Sequence, residues 1–513
     1  MTIPKSFSKE IIIFHGRTAP EKATLVGYGA IIENLQLPMP MPSVLSLISD
    51  KRRSYQTEEW VVYSSRNAFE DSFYKHLVFA LKYEGLNLLF FKKLFDCLSE
   101  EDVLALLQIE PTGQYSRKIW FLYEWLTAKQ LEIPDLRVKN YVPLLDELLQ
   151  FGIGAGVNSP RHRIINNLPG THDFCPLIRK TAKLEQYIAS DLLVQNDRTL
   201  KGIHRDILLR TSAFLMLKDS KASFTIEGES PKNKRTARWA KAIGQAGAIE
   251  LSKEELLRLQ QVVIENERFI QMGLRKTGGF VGEHDRITGE PIPDHISARW
   301  QDVEQLVDGL LSTYKLQMKS EFSAVISAAA IAFGFVFIHP FEDGNGRIHR
   351  YLIHHILAKK QFTQQGIIFP VSASILNHID DYRKVLESYS QPLLDFIEWT
   401  ETKKHNVEVQ NETIDFYRYF DATKQAELLY DCVNDTIQNI IPDEINYLIK
   451  YDEFKRYLDD DFEMPDNTVA LLIKFLEQNN GKLSKRAREK EFNLLSDNEV
   501  EEIEKKYELI MKE

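Results

Sequence analysis

The sequence predicts a mainly helical chain, with one small β-hairpin and helical regions flanking a central domain. Three observations carry this. Apolar residues recur at helical spacing over most of the length, clearest at 69–83, 115–129, 253–273 and 300–316. The run 325–338 is apolar on nearly every side, as in a helix buried all round. One stretch breaks the pattern: residues 277–294 (TGGFVGEHDRITGEPIPD) hold four glycines and two prolines, with Phe280, Val281 and Ile287 between them. That composition predicts a hairpin or extended flap.

The chain has 513 residues, 43% of them hydrophobic and 27% charged. A length of this order suggests about two to four domains, each with an ordinary core. The net charge of −10 excludes a chain built mainly to coat nucleic acid, which needs a basic surface. Cys97, Cys175 and Cys432 are far apart and odd in number, so neither a disulfide framework nor a zinc spacing is expected. Residues 1–16 lack a signal-peptide core. The longest apolar run, 325–338, falls short of the roughly 20 residues of a membrane span. The expectation is a cytoplasmic protein with no membrane partner.

Taken in order, residues 37–42 carry three prolines and should be extended. Helices are expected at 69–83, 90–98, 102–107 and 115–129, then a short connection and helix at 140–151. The glycines of 152–156 (GIGAG) precede Val157-Asn158-Ser159-Pro160 rather than a helix, so they predict a connector and not a phosphate loop. This sets the boundaries: an N-terminal, mostly helical domain at 1–175, a central domain at 176–400 and a C-terminal helical region at 401–513. Central helices are expected at 184–195, 203–217, 233–246, 253–273 and 300–316. The chain is helical again after Pro392, with a break at Asp459-Asp460-Asp461 and a helix start at 464–467 (MPDN). The basic run 482–490 (KLSKRAREK) is a solvated helix face beside acidic residues, so nucleic acid is not an expected partner.

The chemistry lies in 339–350, His-Pro-Phe-Glu-Asp-Gly-Asn-Gly-Arg-Ile-His-Arg. Pro340 stops the buried helix. Ile348, Tyr351, Leu352, His355 and Ile356 form one face of a second helix. The loop between therefore opens a helix N-terminus, whose free N–H groups and dipole favour an anion. Gly344 and Gly346 allow close approach of a phosphate. Arg347 and Arg350 share a helix side and can fork onto phosphate oxygens. Asp343 suits a Mg²⁺ shared with phosphates. His339 is a candidate general base. As a helix stop followed by a turn and a solvated face, these nine positions would coincide by chance with a probability on the order of 10⁻⁹. His349, His354 and His355 fall on different helix faces and make no metal spacing.

This segment resembles, position by position, the HPFx(D/E)GNGRxxR signature of the Fic family. The resemblance covers roughly residues 180–400 and implies a mainly helical Fic fold and a protein adenylyltransferase. On it, His339 would deprotonate the target hydroxyl and Asp343 would hold Mg²⁺ on ATP. Gly344, Asn345, Gly346, Arg347 and Arg350 would bind the phosphates. Residues 223–228 (SFTIEG) resemble the family's inhibitory motif, (S/T)xxxE(G/N). Ser223, Glu227 and Gly228 would then end an inhibitory helix at about 203–228, with Glu227 paired to Arg350 against the γ-phosphate. Phe280, Val281 and Gly282 would be the flap strand that holds a target segment. Asn377 and Tyr382 resemble the helix lining the adenine pocket, although Asp381 stands where the family often has a second tyrosine. The partners implied are unknown target proteins, the chain itself as acceptor, and a second copy in a homodimer. Competing readings are transfer of UMP, phosphate or phosphocholine, removal of AMP from modified targets, and a non-catalytic regulatory or binding protein.

Overall fold

The computed structural model describes residues 3–230, 232–264, 267–362 and 368–512. Helices hold 54% of the chain, which places it in the mainly helical class that the periodicity predicts.

The first 63 residues depart from that pattern. Strands β1 (Lys9–Phe14) and β2 (Arg17–Val26), helix α1 (Gly27–Leu35), and strands β3 (Leu45–Ile48), β4 (Tyr55–Gln56) and β5 (Trp60–Tyr63) follow one another. The strands form one sheet in the order β1-β2-β3-β5-β4. Period two shows where Ala23 and Leu25 flank the less buried Thr24 and where Trp60 and Val62 flank the less buried Val61, whereas β3 buries Leu45, Ser46 and Leu47 in succession. The alternation is imperfect in β1 and β2, and β3, β4 and β5 run for four residues or fewer, too short to stand out against helical periodicity.

Helices α2 (Phe73–Phe79), α3 (Leu88–Cys97), α4 (Glu100–Ile109) and α5 (Gln114–Thr127) share a core with α1 through Tyr28, Phe90, Phe91, Leu94, Trp120 and Leu122. The side chains of Ser72, Asn87 and Ser99 cap the first three of these. Residues 140–151 hold no helix, contrary to expectation. Pro143 lies in strand β6 (Val142–Pro143), and the Asn167 amide bonds both the N–H and the carbonyl of Leu145. The glycine connector is packed rather than loose. Gly156 precedes strand β7 (Val157–Ser159), which pairs with β8 (Ile164–Asn166), and a Cβ on Gly156 would lie 2.8 Å from the Asn166 carbonyl.

The central region is helical apart from the flap. The helix expected at 184–195 is two helices, α6 (Ala182–Ala189) and α7 (Leu192–Leu200), separated at Asp191, which has φ 46° and caps α7. Then come α8 (Arg205–Ile226), α9 (Asn233–Ile243) and α10 (Lys253–Val263). The last is shorter than the 253–273 expected, and residues 265–266 of that stretch lie outside the described residues. Strands β9 (Phe280–His284) and β10 (Pro291–Ile296) pair antiparallel and form the predicted flap. Helix α11 (Val303–Met318) follows. The buried run is α12 (Ala324–Ala328), a π-helical turn at Ala329–Phe333, and α13 (Gly334–Ile338). Helices α14 (Asn345–Lys359), α15 (Val371–Asn377) and α16 (Ile379–Leu394) complete the core, and Pro392 sits inside α16. Phe224, Trp239, Leu259, Leu310, Ile331, Phe335, Ile348 and Leu352 are among its fully buried members.

A short pair, β11 (Trp399–Glu401) and β12 (Val407–Val409), interrupts the C-terminal helices. These are α17 (Ile414–Arg418), α18 (Thr423–Asp435), α19 (Ile441–Phe462), α20 (Asp466–Gln478), α21 (Lys485–Lys490) and α22 (Asp497–Lys512). Asp459 to Asp461 do not break the chain but lie in the last turn of α19. Phe454, Leu458, Leu472, Leu476, Val500 and Ile503 make a separate small core. In the basic run, Arg488 bonds Glu504 at 2.7 Å. Among the described residues, no helix is long and apolar enough to cross a membrane.

Candidate active site

The site is built where α13 ends and α14 begins. His339 caps α13 in the left-handed region (φ 54°, ψ 60°), and Pro340 prevents continuation. Gly344, at φ 96°, is the N-cap of α14, a conformation glycine adopts without strain. The loop between is pinned by Asn345. Its Oδ1 accepts the Phe341 N–H at 3.0 Å, and its Nδ2 donates to the Phe341 carbonyl at 2.8 Å. The side chain that the resemblance places on phosphate is thus bonded at both ends to the loop and holds its shape. The first N–H groups of α14 have no intrahelical acceptor and remain for an anion.

His339 Nδ1 lies 3.2 Å from the Val336 carbonyl. A carbonyl only accepts, so Nδ1 carries the proton and Nε2 keeps its lone pair. Burial first, then the charge of Arg275, holds the ring's pKa down to about 4. The imidazole is therefore neutral at pH 7.

Both arginines are buried, Arg347 at 2% and Arg350 at 1% side-chain exposure. Arg347 Nη2 donates to Asp343 Oδ1 at 2.7 Å. Arg350 donates from Nε to Ser223 Oγ at 3.0 Å and from Nη2 to the Ser223 carbonyl and to Glu227 Oε1, both at 2.7 Å. Among the described residues, Arg347 Nε and Arg350 Nη1 are buried with no hydrogen-bond partner. An unpaired buried donor is destabilising by about 1–3 kcal/mol, and an anion at the start of α14 would satisfy both.

Glu227 reaches the site from the end of α8. Glu229 N–H bonds the Phe224 carbonyl at 3.0 Å and Gly228 N–H the Thr225 carbonyl at 2.9 Å, a Schellman ending with Gly228 at φ 72°. This turn aims Glu227 at α14. A Cβ on Gly346 would lie 2.1 Å from Glu227 Oε1, so glycine there admits the carboxylate. Burial pushes the Glu227 carboxyl up, but Arg350, then Arg347 and His339, pull it below its usual range. Ser223, Glu227, Arg347, Arg350 and Asp343 are thus brought together as the sequence suggested.

The remaining candidates divide. Tyr382 is buried, stacked on His349 and beside Arg350. Asn377 is exposed at the end of α15. Phe280, Val281 and Gly282 pair with Ile296, His295 and Pro293, so β9 is an edge strand of a two-stranded sheet, with His284 at one end of it bonded to the His405 carbonyl and Gly278 before it bonded by Asn406. The three histidines have separate partners: His349 the Ala332 carbonyl, His354 Asp219, and His355 Tyr314.

Sequence reasoning missed three residues. Glu229 Oε1 accepts from Arg347 Nη1 at 2.5 Å and its other oxygen pairs with Arg235. Its place two residues beyond Glu227, across the Gly228 turn, was the available signal. Arg275 and His295 bond backbone carbonyls around His339, and nothing local in the sequence marks them.

Residues 250–357 match the Fic/DOC family model, so the chain carries a domain of that family. Residues 223–228 and the pair Asn377 and Tyr382 lie outside the matched stretch. No curated protein matches the chain. Among solved structures 16 chains match. One is a Fic family protein from Desulfovibrio desulfuricans, 18% identical with a TM-score of 0.37, covering 64% of this chain and 86% of that one. Another is a Fic domain containing signaling protein from Bacteroides thetaiotaomicron, 17% identical with a TM-score of 0.35, covering 52% of this chain and 97% of that one.

Proposed function

We propose that the Fic/DOC domain of this chain transfers AMP from ATP to a hydroxyl side chain of a target protein, and that Glu227 restrains it. The observation that carries this is a pair of buried arginines with unpaired N–H donors at a helix N-terminus, next to a neutral histidine. A triphosphate satisfies those donors, and the histidine accepts the proton that a hydroxyl must lose.

The target oxygen attacks the α-phosphorus, the bond from that phosphorus to the bridging oxygen breaks, and pyrophosphate leaves. The hydroxyl proton passes to His339 Nε2. Arg347 and Arg350 hold the phosphates and meet charge that develops on the leaving group. Tyr382, stacked on His349 beside Arg350, would stand near the nucleotide. In the resting arrangement Glu227 takes the Arg350 donor that the γ-phosphate would use, so ATP enters displaced from its productive pose.

Mg²⁺ fits Asp343. Its side chain is 42% exposed, and Oδ1 takes Arg347 and the Gly344 N–H while, among the described residues, no bond engages Oδ2. Among the described residues no three His, Cys, Asp or Glu converge as a cage. Asp343 would thus be the protein's ligand, with phosphates and water completing the shell, as is usual for this ion. When bound, the ion neutralises phosphate charge.

Intact-mass spectrometry of Glu227→Gly after incubation with ATP, UTP or CDP-choline tests the reading. An AMP adduct on the chain or on an added lysate protein, with none from the other donors, is the expected result. A UMP or phosphocholine adduct would replace the donor, and no adduct with ATP bound would remove the transfer reading.

Two further results are expected. Asp343→Ala should weaken Mg²⁺-dependent ATP binding by about 10-fold or more in titration calorimetry; unchanged binding would remove its metal role. Glu229→Gln should tighten ATP binding by about 2- to 10-fold, because a carboxylate no longer competes for Arg347. Weaker binding would instead make Glu229 a support for the arginine.

A further inference from the structure

The turn that carries His339 has an unusual set of partners. A helix leaves its last carbonyls without intrahelical donors. Here the carbonyls of four consecutive residues, 337 to 340, are met from the two roots of the flap. His295 Nε2, on β10, donates to Phe337 at 2.9 Å. The Ala298 N–H and Arg275 Nη2 both reach Ile338 at 3.3 Å. Arg275 Nε donates to His339 at 2.7 Å and the Arg275 N–H to Pro340 at 2.9 Å. The same guanidinium also bonds the flap itself, through Thr277 before β9 at 2.9 Å and Ala298 after β10.

Arg275 is 3% exposed, and no carboxylate pairs with it among the described residues. Its charge rests on carbonyls at the negative end of α13. The rigid fork of an arginine suits this, since it bonds both flap roots and the helix end at once. The need is plain at His339. A histidine in the left-handed region is strained, and such residues persist where their surroundings over-determine them. His295 adds a second tie. Its Nε2 must donate to the Phe337 carbonyl, so Nδ1 accepts from Ser390 Oγ at 2.9 Å, which links the flap to α16 as well.

We propose that Arg275 is a positioning residue that sets the His339 turn and the root of the flap as one unit, with His295 as its second tie. The edge strand Phe280–His284 is thereby registered against the base, so a segment lying along that strand presents its hydroxyl to Nε2. This rests on the transfer reading for its kinetic consequence, but the coupling itself does not.

The test uses the full chain in the Glu227→Gly background with Arg275→Met, Arg275→Lys and His295→Gln. Hydrogen exchange read by mass spectrometry comes first because it needs no activity. Arg275→Met should raise exchange in 275–298 and in 335–341 together, with α14 and α8 unchanged. A rise confined to one segment, or spread over the whole domain, overturns the coupling. Kinetics come second. Arg275→Met should lower kcat by about 30-fold or more with ATP affinity within about threefold, and Arg275→Lys should recover part of that loss. An unchanged kcat, or parallel losses in kcat and ATP affinity for both Lys and Met, overturns the positioning role. If Arg275→Met does not fold, Arg275→Lys and His295→Gln decide, each expected to lower kcat about 3- to 10-fold at constant ATP affinity, and an unchanged kcat in both overturns it. If the Glu227→Gly parent itself forms no adduct, the transfer reading fails, and the exchange result still judges the clamp.

Discussion

His339→Ala, in a chain already relieved of Glu227, is expected to lower the transfer rate by about 10²- to 10⁴-fold, the span for loss of a general base. ATP affinity should stay within about threefold. The separation follows from the geometry. Among the described residues His339 makes no hydrogen bond to either arginine, and its Nδ1 is bonded to the Val336 carbonyl. What the substitution removes is the Nε2 lone pair. Quench-flow or timed intact-mass measurements with ATP and Mg²⁺ read the rate, and calorimetry reads the affinity. An equal rate in the variant would remove His339 as the base.

A pH prediction accompanies it. The active form is the neutral ring, and burial together with Arg275 holds the pKa at about 4. Activity is therefore present above that value and lost as pH falls through it. The kcat/KM for ATP, which reports the free enzyme, should not fall between pH 8 and pH 6 through protonation of this ring. A bound triphosphate brings negative charge near the imidazole, which favours the protonated form. The acid limb of kcat should accordingly lie higher than that of kcat/KM. A kcat/KM profile falling near pH 6.5 would show that His339 is not held neutral as its surroundings dictate.

How far the sequence reaches is plain in particular residues. The stretch 339–350 was legible because a helix stop, two glycines and two arginines at fixed spacing have one economical use together. The contact of Glu227 with Arg350 was legible because its motif accompanies that signature. The pinning role of Asn345 was not, since a phosphate ligand and a loop-shaping amide occupy the same place in the sequence. Glu229 was passed over because it acts across a turn, where spacing along the chain ceases to measure distance. Arg275 and His295 act on backbone carbonyls, which leave no trace in residue type. The opening sheet was missed because its alternations are short, and the Asp459 run because three acidic residues are tolerated in an exposed last helical turn when no buried position is interrupted.

Glu227→Gly is expected to raise the rate of AMP adduct formation by about 5- to 150-fold, the range of a coupling of about 1–3 kcal/mol between brake and ligand. Without ATP, the variant should be less stable than the wild type. Arg350 keeps its Ser223 bonds but loses the carboxylate that balances its buried charge. Breaking a fully buried pair is destabilising by about 3–5 kcal/mol. Glu227 is a third exposed, so the loss should be smaller, about 1–2 kcal/mol. ATP then supplies the missing negative charge. Its binding should raise the melting temperature of the variant by more than that of the wild type, because the γ-phosphate relieves an unpaired cation in one and competes with a carboxylate in the other. The three readouts are tied together by one contact. A faster adduct without the larger thermal shift would mean that Glu227 acts on something other than the γ-phosphate site. A larger shift with no gain in rate would mean that the pair controls ATP affinity alone. Only the two changes together support a brake that works by holding Arg350.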